Sequence, residues 1–296
     1  MMKSSFYISI IVLLSSCSFN NIFLNPTPFP KDLKEYTIHT PDDTVKIYFS
    51  GVNHQPAFTR RNGIEPIEMD YTIESILFTS GHDDTLNGWF MKPKGRVADK
   101  TILHMHGNRG SLVGVSRMMI PFVKRGYQVF IFDYNGFGFS TGKPTRKNAL
   151  TAGLAALEYV KSRPDVQNTK LVIYGQSFGG HLAAVVAAER EDAIDALVVE
   201  GAFSSPKDIG ADRVPVLGRI LVRQMYAATK SIRKYHKPLL VIHSRDDDVV
   251  PFKQGKKIYD LANPPKEFYE IKDCHICGPV FYPDEIAEKI NGMIGK

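Results

Sequence analysis

The sequence predicts an α/β fold: an open, mostly parallel sheet of about eight strands, with helices on both faces and a small insertion above one edge. Three observations lead there. Beyond Lys100, short apolar runs alternate with stretches of helical length, the pattern of βα repeats whose strands are buried on both faces. Ahead of it, strand-like segments are separated by Gly, Asp and Asn turn residues, as in an antiparallel lead-in. The alternation then fails once, across residues 202–237.

Taken in order, strands are expected over 45–49, 73–79 and 87–91, the antiparallel lead-in to the sheet. Six β runs follow in the parallel half, at 102–105, 129–132, 171–174, 196–199, 239–242 and 268–271. They are short, apolar and bounded by turn residues, which favours buried strands over helices. Helices are expected between them near 113–124, 146–162, 179–190, 251–261 and 283–294. The interval 202–237 holds no strand, and residues 220–228 read as an amphipathic helix. This interval is either a small lid above the strand ends or two ordinary connecting helices.

A chain of 296 residues with 43% hydrophobic composition suits one large core. Its net charge of +6 comes from scattered cations with no long basic run, so a nucleic-acid partner is not expected. At the N-terminus, Lys3 precedes an apolar run over 6–14 that only Ser9 interrupts. Nine helical residues cover roughly 14 Å of a hydrocarbon layer about 30 Å thick, too little to span it. The run therefore reads as a secretory segment.

Leu14-Ser15-Ser16-Cys17 resembles the bacterial lipobox, which implies cleavage before Cys17 and acylation of that cysteine. An ordinary signal peptide is the alternative. The expected organisation is a lipoprotein signal over 1–16, a lipidated tether over 17–40 and one catalytic domain over 41–296. Residues 20–30, with three prolines in their last five positions, read as part of a tether without packed structure. The expected location is the cell envelope of a bacterium, anchored to membrane through Cys17. By resemblance, Ser18 after the cysteine favours the outer membrane in a Gram-negative host.

Gly175-Gln176-Ser177-Phe178-Gly179 fits G-x-S-x-G, after an expected strand and before an alanine-rich helix. The turn is too sharp for side chains at the two glycines, and it presents Ser177 at a helix N-terminus. A serine hydroxyl is a weak nucleophile at neutral pH; it needs a base, and the base needs an acid to fix its tautomer. Downstream, His243-Ser244-Arg245-Asp246-Asp247-Asp248-Val249-Val250-Pro251 ends one strand and Lys272-Asp273-Cys274-His275 follows the last. Both fall at the carboxyl edge of the sheet, where open α/β sheets carry their working residues. His275 is preferred as base over His104, His106 and His181, none of which follows the final strand.

These motifs resemble those of the α/β-hydrolases, in the order Ser, Asp, His, over roughly two thirds of the chain. The chain is similar to the serine-aminopeptidase and monoacylglycerol-lipase-like group, near the branch with small caps that includes depalmitoylating thioesterases. Its pattern H-G-x-x-D-x-x-V-P, counted from His243, makes Asp247 the acid; Asp246 and Asp248 remain alternatives. Glu200 is another, because some members place the acid after that strand; otherwise it lines a pocket or pairs with the lid.

His106-Gly107-Asn108-Arg109-Gly110 resembles the family's oxyanion loop, which implies that the N–H groups of Asn108 and Phe178 hold the oxyanion, with His106 a brace. Asp133-Tyr134-Asn135-Gly136-Phe137-Gly138-Phe139-Ser140 resembles its D-x-x-G-x-G-x-S turn, and no chemistry is assigned to Asp133. That turn lacks the third glycine of a dinucleotide site, so no nicotinamide or flavin is expected.

The resemblance implies cofactor-free hydrolysis of an ester, thioester or amide. A small-molecule carboxylic ester or thioester is the expected substrate, with Phe137, Phe139, Phe178 and Phe203 lining an apolar acyl slot. Amide hydrolysis, with Glu200 receiving a substrate amine, and a non-catalytic envelope lipoprotein are the alternatives. Cys274 and Cys277 bracket His275 as C-x-x-C; a second ligand cluster for zinc is not evident, and in an oxidising compartment the pair can close a disulfide.

Overall fold

The computed structural model describes residues 23–39, 43–81 and 83–295. In chain order its strands are β1 (Asn25–Pro26), β2 (Glu35–His39), β3 (Thr44–Ser50), β4 (Gln55–Arg60), β5 (Glu65–Pro66), β6 (Tyr71–Thr79) and β7 (Thr85–Pro93). They continue with β8 (Lys100–Met105), β9 (Arg109–Gly110), β10 (Gln128–Phe132), β11 (Lys170–Gln176), β12 (Ala196–Glu200), β13 (Leu239–Ser244) and β14 (Lys266–Ile271). The helices are α1 (Leu112–Lys124), α2 (Arg146–Ser162), α3 (Phe178–Glu189), α4 (Pro206–Arg213), α5 (Leu217–Leu221), α6 (Ala228–Ser231), α7 (Phe252–Leu261), α8 (Gly278–Phe281) and α9 (Pro283–Ile294).

Among the described residues one eight-stranded sheet runs β14-β13-β12-β11-β8-β10-β7-β6. The six strands from β14 to β10 are parallel, while β7 and β6 add to one edge antiparallel. Strand residues alternate between two apolar layers. Leu103, Ile173, Val199 and Val241 pack with α2 and α3 on one face, whereas Ile102, Val172, Val198 and Leu240 pack with α1 and α9 on the other. With both faces covered, the strands have no polar side to display, which is why they read as unbroken apolar runs. From β8 the chain goes to β10 on one side and then crosses to β11 on the other. This reversal of direction opens a crevice beyond the carboxyl ends of β8 and β11.

Three expectations are corrected. The strand over 45–49 belongs to a separate antiparallel sheet, β2-β3-β4-β5, and the lead-in to the main sheet starts at Tyr71. Within residues 20–30, the part from Phe23 on is packed: Phe23 and Leu24 are buried, and β1 pairs in parallel with β9. Three prolines deny this stretch helix and regular sheet, yet its two phenylalanines and Leu24 find apolar surface to cover. The helix expected over 220–228 is broken into α5 and α6 around a loop. His104 lies inside β8 and His181 inside α3, in the strand and helix expected to hold them, and both are fully enclosed. Residues 1–16, expected as a signal, and Cys17 lie outside the described residues, and no described helix is long and apolar enough to cross a membrane.

Candidate active site

Ser177 sits between β11 and α3 with φ 55° and ψ −118°, a conformation that costs a non-glycine residue of order 1–3 kcal/mol. The surroundings enforce it. A Cβ at Gly179 would lie 2.0 Å from the Met105 carbonyl oxygen, and one at Gly175 would lie 2.4 Å from that of Gly179, so only glycine lets helix, turn and neighbouring strand meet. From below, the Ser177 N–H donates to the Glu200 carbonyl at 2.8 Å, pinning the turn to the end of β12.

The loops after β13 and β14 bring the other two groups to the same edge. His275 Nε2 is 2.8 Å from Ser177 Oγ, and His275 Nδ1 is 2.6 Å from Asp247 Oδ2. Asp247 is thus the aspartate that meets the imidazole, while Asp246 and Asp248 are exposed beside it. Its other oxygen, Oδ1, accepts the N–H groups of Val249 at 2.9 Å and Val250 at 2.7 Å. Burial pushes the Asp247 carboxyl up, but His243, His275 and the Val250 N–H outweigh it and hold it at about 2. It is an anion at any physiological pH. His243, enclosed at the end of β13, has its Nε2 2.9 Å from the Val250 carbonyl and 3.3 Å from Asp247 Oδ2. A Cβ at residue 255 would fall 2.1 Å from its Nδ1, so Gly255 is what allows α7 to rest on this ring.

Three enclosed histidines, His104, His106 and His181, are held neutral. Burial lowers His104 to about 3, and lowers His106 and His181 to about 4. His181 faces the Phe203 carbonyl at 3.0 Å and stacks on the Phe203 ring at 4.2 Å, bracing a pocket wall. His106 braces the loop after β8: its Nδ1 is 2.8 Å from the Gly107 carbonyl, and its own carbonyl accepts from Tyr134 Oη at 2.8 Å.

Glu200 does not fill any role expected of it. Its carboxylate is fully enclosed beneath the loop that carries His275, where Oε2 accepts from Tyr174 Oη at 2.9 Å and Gln176 Nε2 at 2.7 Å. Oε1 accepts the Gly278 N–H at 2.7 Å. Burial raises its pKa against these donors. Gln176 also donates to the Ile276 carbonyl at 3.1 Å and lies 3.0 Å from His104 Nε2, so one polar cluster ties the His275 loop to three central strands. A disulfide joins Cys274 and Cys277 on either side of His275.

On the oxyanion side, Gly107 approaches Ser177 so closely that a Cβ there would be 3.7 Å from the serine Cβ. Phe178 is the first residue of α3, where an N–H has no carbonyl one turn back to bond. Asn108 and Phe178 both border a cavity of about 150 Å³ that opens on Ser177 and is walled by Phe23, Phe203, Ile209 and Val222. Phe178 and Phe203 are therefore where an acyl slot needs them, and Phe137 and Phe139 are not. Phe137 packs against Tyr134 and His106 in the core, and Phe139 stacks on His54 near the small sheet.

Phe23 was not foreseen. Its ring lies 5.8 Å from that of Phe203 and under the Arg146 guanidinium at 4.7 Å, and the Asn25 N–H donates to the Asn108 carbonyl at 2.8 Å. Nothing in its local sequence, next to prolines and far from every motif, signals a wall residue. Asp133 is equally hidden: a Cβ at Gly138 would strike its Oδ2 at 2.0 Å, its Oδ1 accepts the Leu112 N–H at 3.0 Å, and burial pushes it up to about 8. Among the described residues no group of three or more His, Cys, Asp or Glu is placed to hold a metal ion.

The model of the alpha/beta hydrolase fold matches residues 100–221. The protein YfhR of Escherichia coli O157:H7 is 34% identical over 208 residues, covering 69% of this chain and 73% of YfhR. Protein bem46 of Schizosaccharomyces pombe is 31% identical over 228 residues, 74% of this chain and 76% of bem46. Among solved structures, the Pyrococcus furiosus esterase Pf2001 superposes with TM-score 0.63 at 21% identity, covering 76% of this chain and 94% of the esterase. Est1E of Butyrivibrio proteoclasticus, bound to ferulic acid, gives TM-score 0.63 at 19% identity over 75% of this chain and 100% of Est1E.

Proposed function

Because the chain belongs to the alpha/beta hydrolase family, we propose that it is a serine hydrolase that cleaves carboxylic esters or thioesters through an acyl-enzyme. The observation that supports this most directly is the unbroken contact from Ser177 Oγ through the imidazole of His275 to the carboxylate of Asp247. In the proposed course His275 takes the proton of Ser177 as the hydroxyl oxygen attacks the substrate carbonyl carbon. Asp247 fixes the proton on Nδ1 and steadies the imidazolium. The N–H groups of Asn108 and Phe178 receive the oxyanion, each contributing about 3 to 4 kcal/mol to the transition state. His275 then hands its proton to the departing alcohol or thiol, and water repeats the cycle on the acylated serine.

The apolar cavity beside Ser177 favours an acyl group over a peptide amine as the recognised part of the substrate. Glu200, the carboxylate suited by sequence to an amine, has no access to that cavity, being enclosed under the base loop. Labelling with a fluorophosphonate probe tests the proposal. The wild-type chain is expected to be labelled and Ser177→Ala is not, and a panel of p-nitrophenyl esters and acyl thioesters then separates ester from thioester preference. Wild-type protein that is folded yet neither labelled nor active would refute it.

The proposal extends to an envelope lipoprotein acylated on Cys17, supported by the lipobox-like Leu14-Ser15-Ser16-Cys17. Metabolic incorporation of palmitate that Cys17→Ser abolishes is the expected result; incorporation unchanged by that substitution ends the idea.

A further inference from the structure

The cap formed by α4, α5 and the loop to α6 carries an apolar face that the other described residues leave uncovered. Val216 is 72% exposed, Ile220 71% and Leu217 56%, with Val214 and Met225 exposed beside them and Val249 across the gap. Backbone geometry puts Val216 outward. It has φ 66° and ψ −62°, and the Leu217 N–H bonds the Pro215 carbonyl at 2.8 Å, a γ-turn of the rare positive-φ kind. A β-branched residue in that conformation is strained, and among the described residues this hydrophobic one gains nothing from burial.

Three further facts bear on what covers this face. Residues 206–231 hold five basic side chains against two carboxylates, Asp208 and Asp212; Arg219 is paired with Asp208 at 2.9 Å and Arg213 donates to the Val249 carbonyl at 2.7 Å, while Lys207, Arg223 and Lys230 complete the set. Val214 and Val249, exposed in the patch, are also walls of the cavity at Ser177, so the patch and the cavity are continuous. Phe23 lines the same cavity, and residue 14, the end of the apolar run 6–14, precedes it by nine positions, at most about 30 Å of extended chain.

We infer that this cap face docks on an anionic phospholipid bilayer, with Val216, Leu217 and Ile220 entering the acyl boundary and the surrounding cations facing lipid phosphates. Apolar tips ringed by Lys and Arg bind such surfaces by combining buried area with charge attraction, entering about 5 to 10 Å. Docking in this pose turns the mouth of the cavity toward the membrane and brings the chain's N-terminal approach to the same side.

The test uses the full chain and its tryptophan content. The sequence has one tryptophan, Trp89, which is buried and gives a fixed background. Val216→Trp and Ile220→Trp report on the patch. Val97→Trp, at a position 97% exposed between β7 and β8 on the opposite edge of the sheet, is the control. Each variant is mixed with vesicles of phosphatidylcholine, or of phosphatidylcholine and phosphatidylglycerol, carrying brominated acyl chains. Emission from positions 216 and 220 is expected to shift to the blue and to be quenched on the anionic vesicles, with little change on the neutral ones and none at position 97. Adding Lys207→Glu and Arg223→Glu is expected to abolish the response while circular dichroism stays unchanged. Emission at 216 and 220 that stays solvent-like on chain bound to anionic vesicles overturns the inference. So does a response equal on neutral lipid, or equal at position 97. Because the readout is fluorescence, a chain that docks but hydrolyses nothing would refute the proposed activity alone.

Discussion

The roles proposed for Ser177, His275 and Asp247 depend on their neighbours more than on their own chemistry. Asp247 is the clearest case: both oxygens are engaged, one by the imidazole and one by two backbone N–H groups. Asp247→Asn keeps the shape but presents a donor where Nδ1–H needs an acceptor, so kcat is expected to fall about 10⁴-fold with KM little changed, measured on a p-nitrophenyl ester. An unchanged kcat would remove Asp247 from the mechanism. The same carboxyl ionises near 3.8 when unfolded and near 2 when folded, so it stabilises the fold fully above pH 4 and progressively less as pH falls toward 2, by about 2 kcal/mol.

Asp133 has the opposite sign. Folded, it ionises near 8; unfolded, near 3.8; between these values the native chain holds the extra proton and stability falls as pH rises. Asp133→Asn, which keeps an acceptor for the Leu112 N–H, is therefore expected to raise Tm more at pH 8 than at pH 5. Equal shifts at both pH values would show that burial does not hold the proton there. Neither effect was legible in the sequence, because both depend on which of several acids is enclosed. Three consecutive aspartates look alike on paper, and only the resemblance to the family pattern, counted from His243, singled out Asp247.

At the level of elements, the sequence shows what local pattern encodes and hides what distant packing decides. Helices over 146–162 and 283–294 lie where their patterns put them, and the elbow was plain because two glycines and an alanine-rich helix are forced by close approach. The cap escaped: residues 220–228 have helical periodicity, yet the chain breaks at Val222, which turns inward to wall the cavity. The separate small sheet escaped too, since a strand pattern names no partner.

Phe23 sat in what composition makes a tether. Phe23→Ala should enlarge the cavity, and the expected outcome is a shift of kcat/KM toward bulkier acyl groups in an ester panel, with a loss of about 3 kcal/mol in stability by urea titration. An unaltered acyl preference would place Phe23 outside the substrate's reach. The disulfide beside His275 closes only a short loop, so reduction is expected to lower the hydrolysis rate while leaving Tm almost unmoved. Identical rates with and without reductant would leave the loop indifferent to its bridge.

Over the whole molecule, the crossover at β8 is what collects groups from four loops at one edge. The sequence conveyed that architecture through the alternation of strands and helices, but not the contact of residues 23–29 with it. Asn25 holds the Asn108 carbonyl and Phe29 holds that of Gly138, so a chain starting after residue 30 is expected to keep its circular dichroism and lose most of its activity. Full activity in that shortened chain would show the strap to be ornamental.

Strand β1 carries one more implication. Its residues, with Phe23 before them and Phe29 after, leave the ribosome ahead of all their partners: Asn108, Gly138, Arg146 and, latest, Phe203. They must wait, unpaired, while most of the central strands are made, because contacts so distant along the chain close late. The nascent molecule thus acquires its scaffold before the cavity beside Ser177 is walled, and the final stitch is sewn with thread from the beginning.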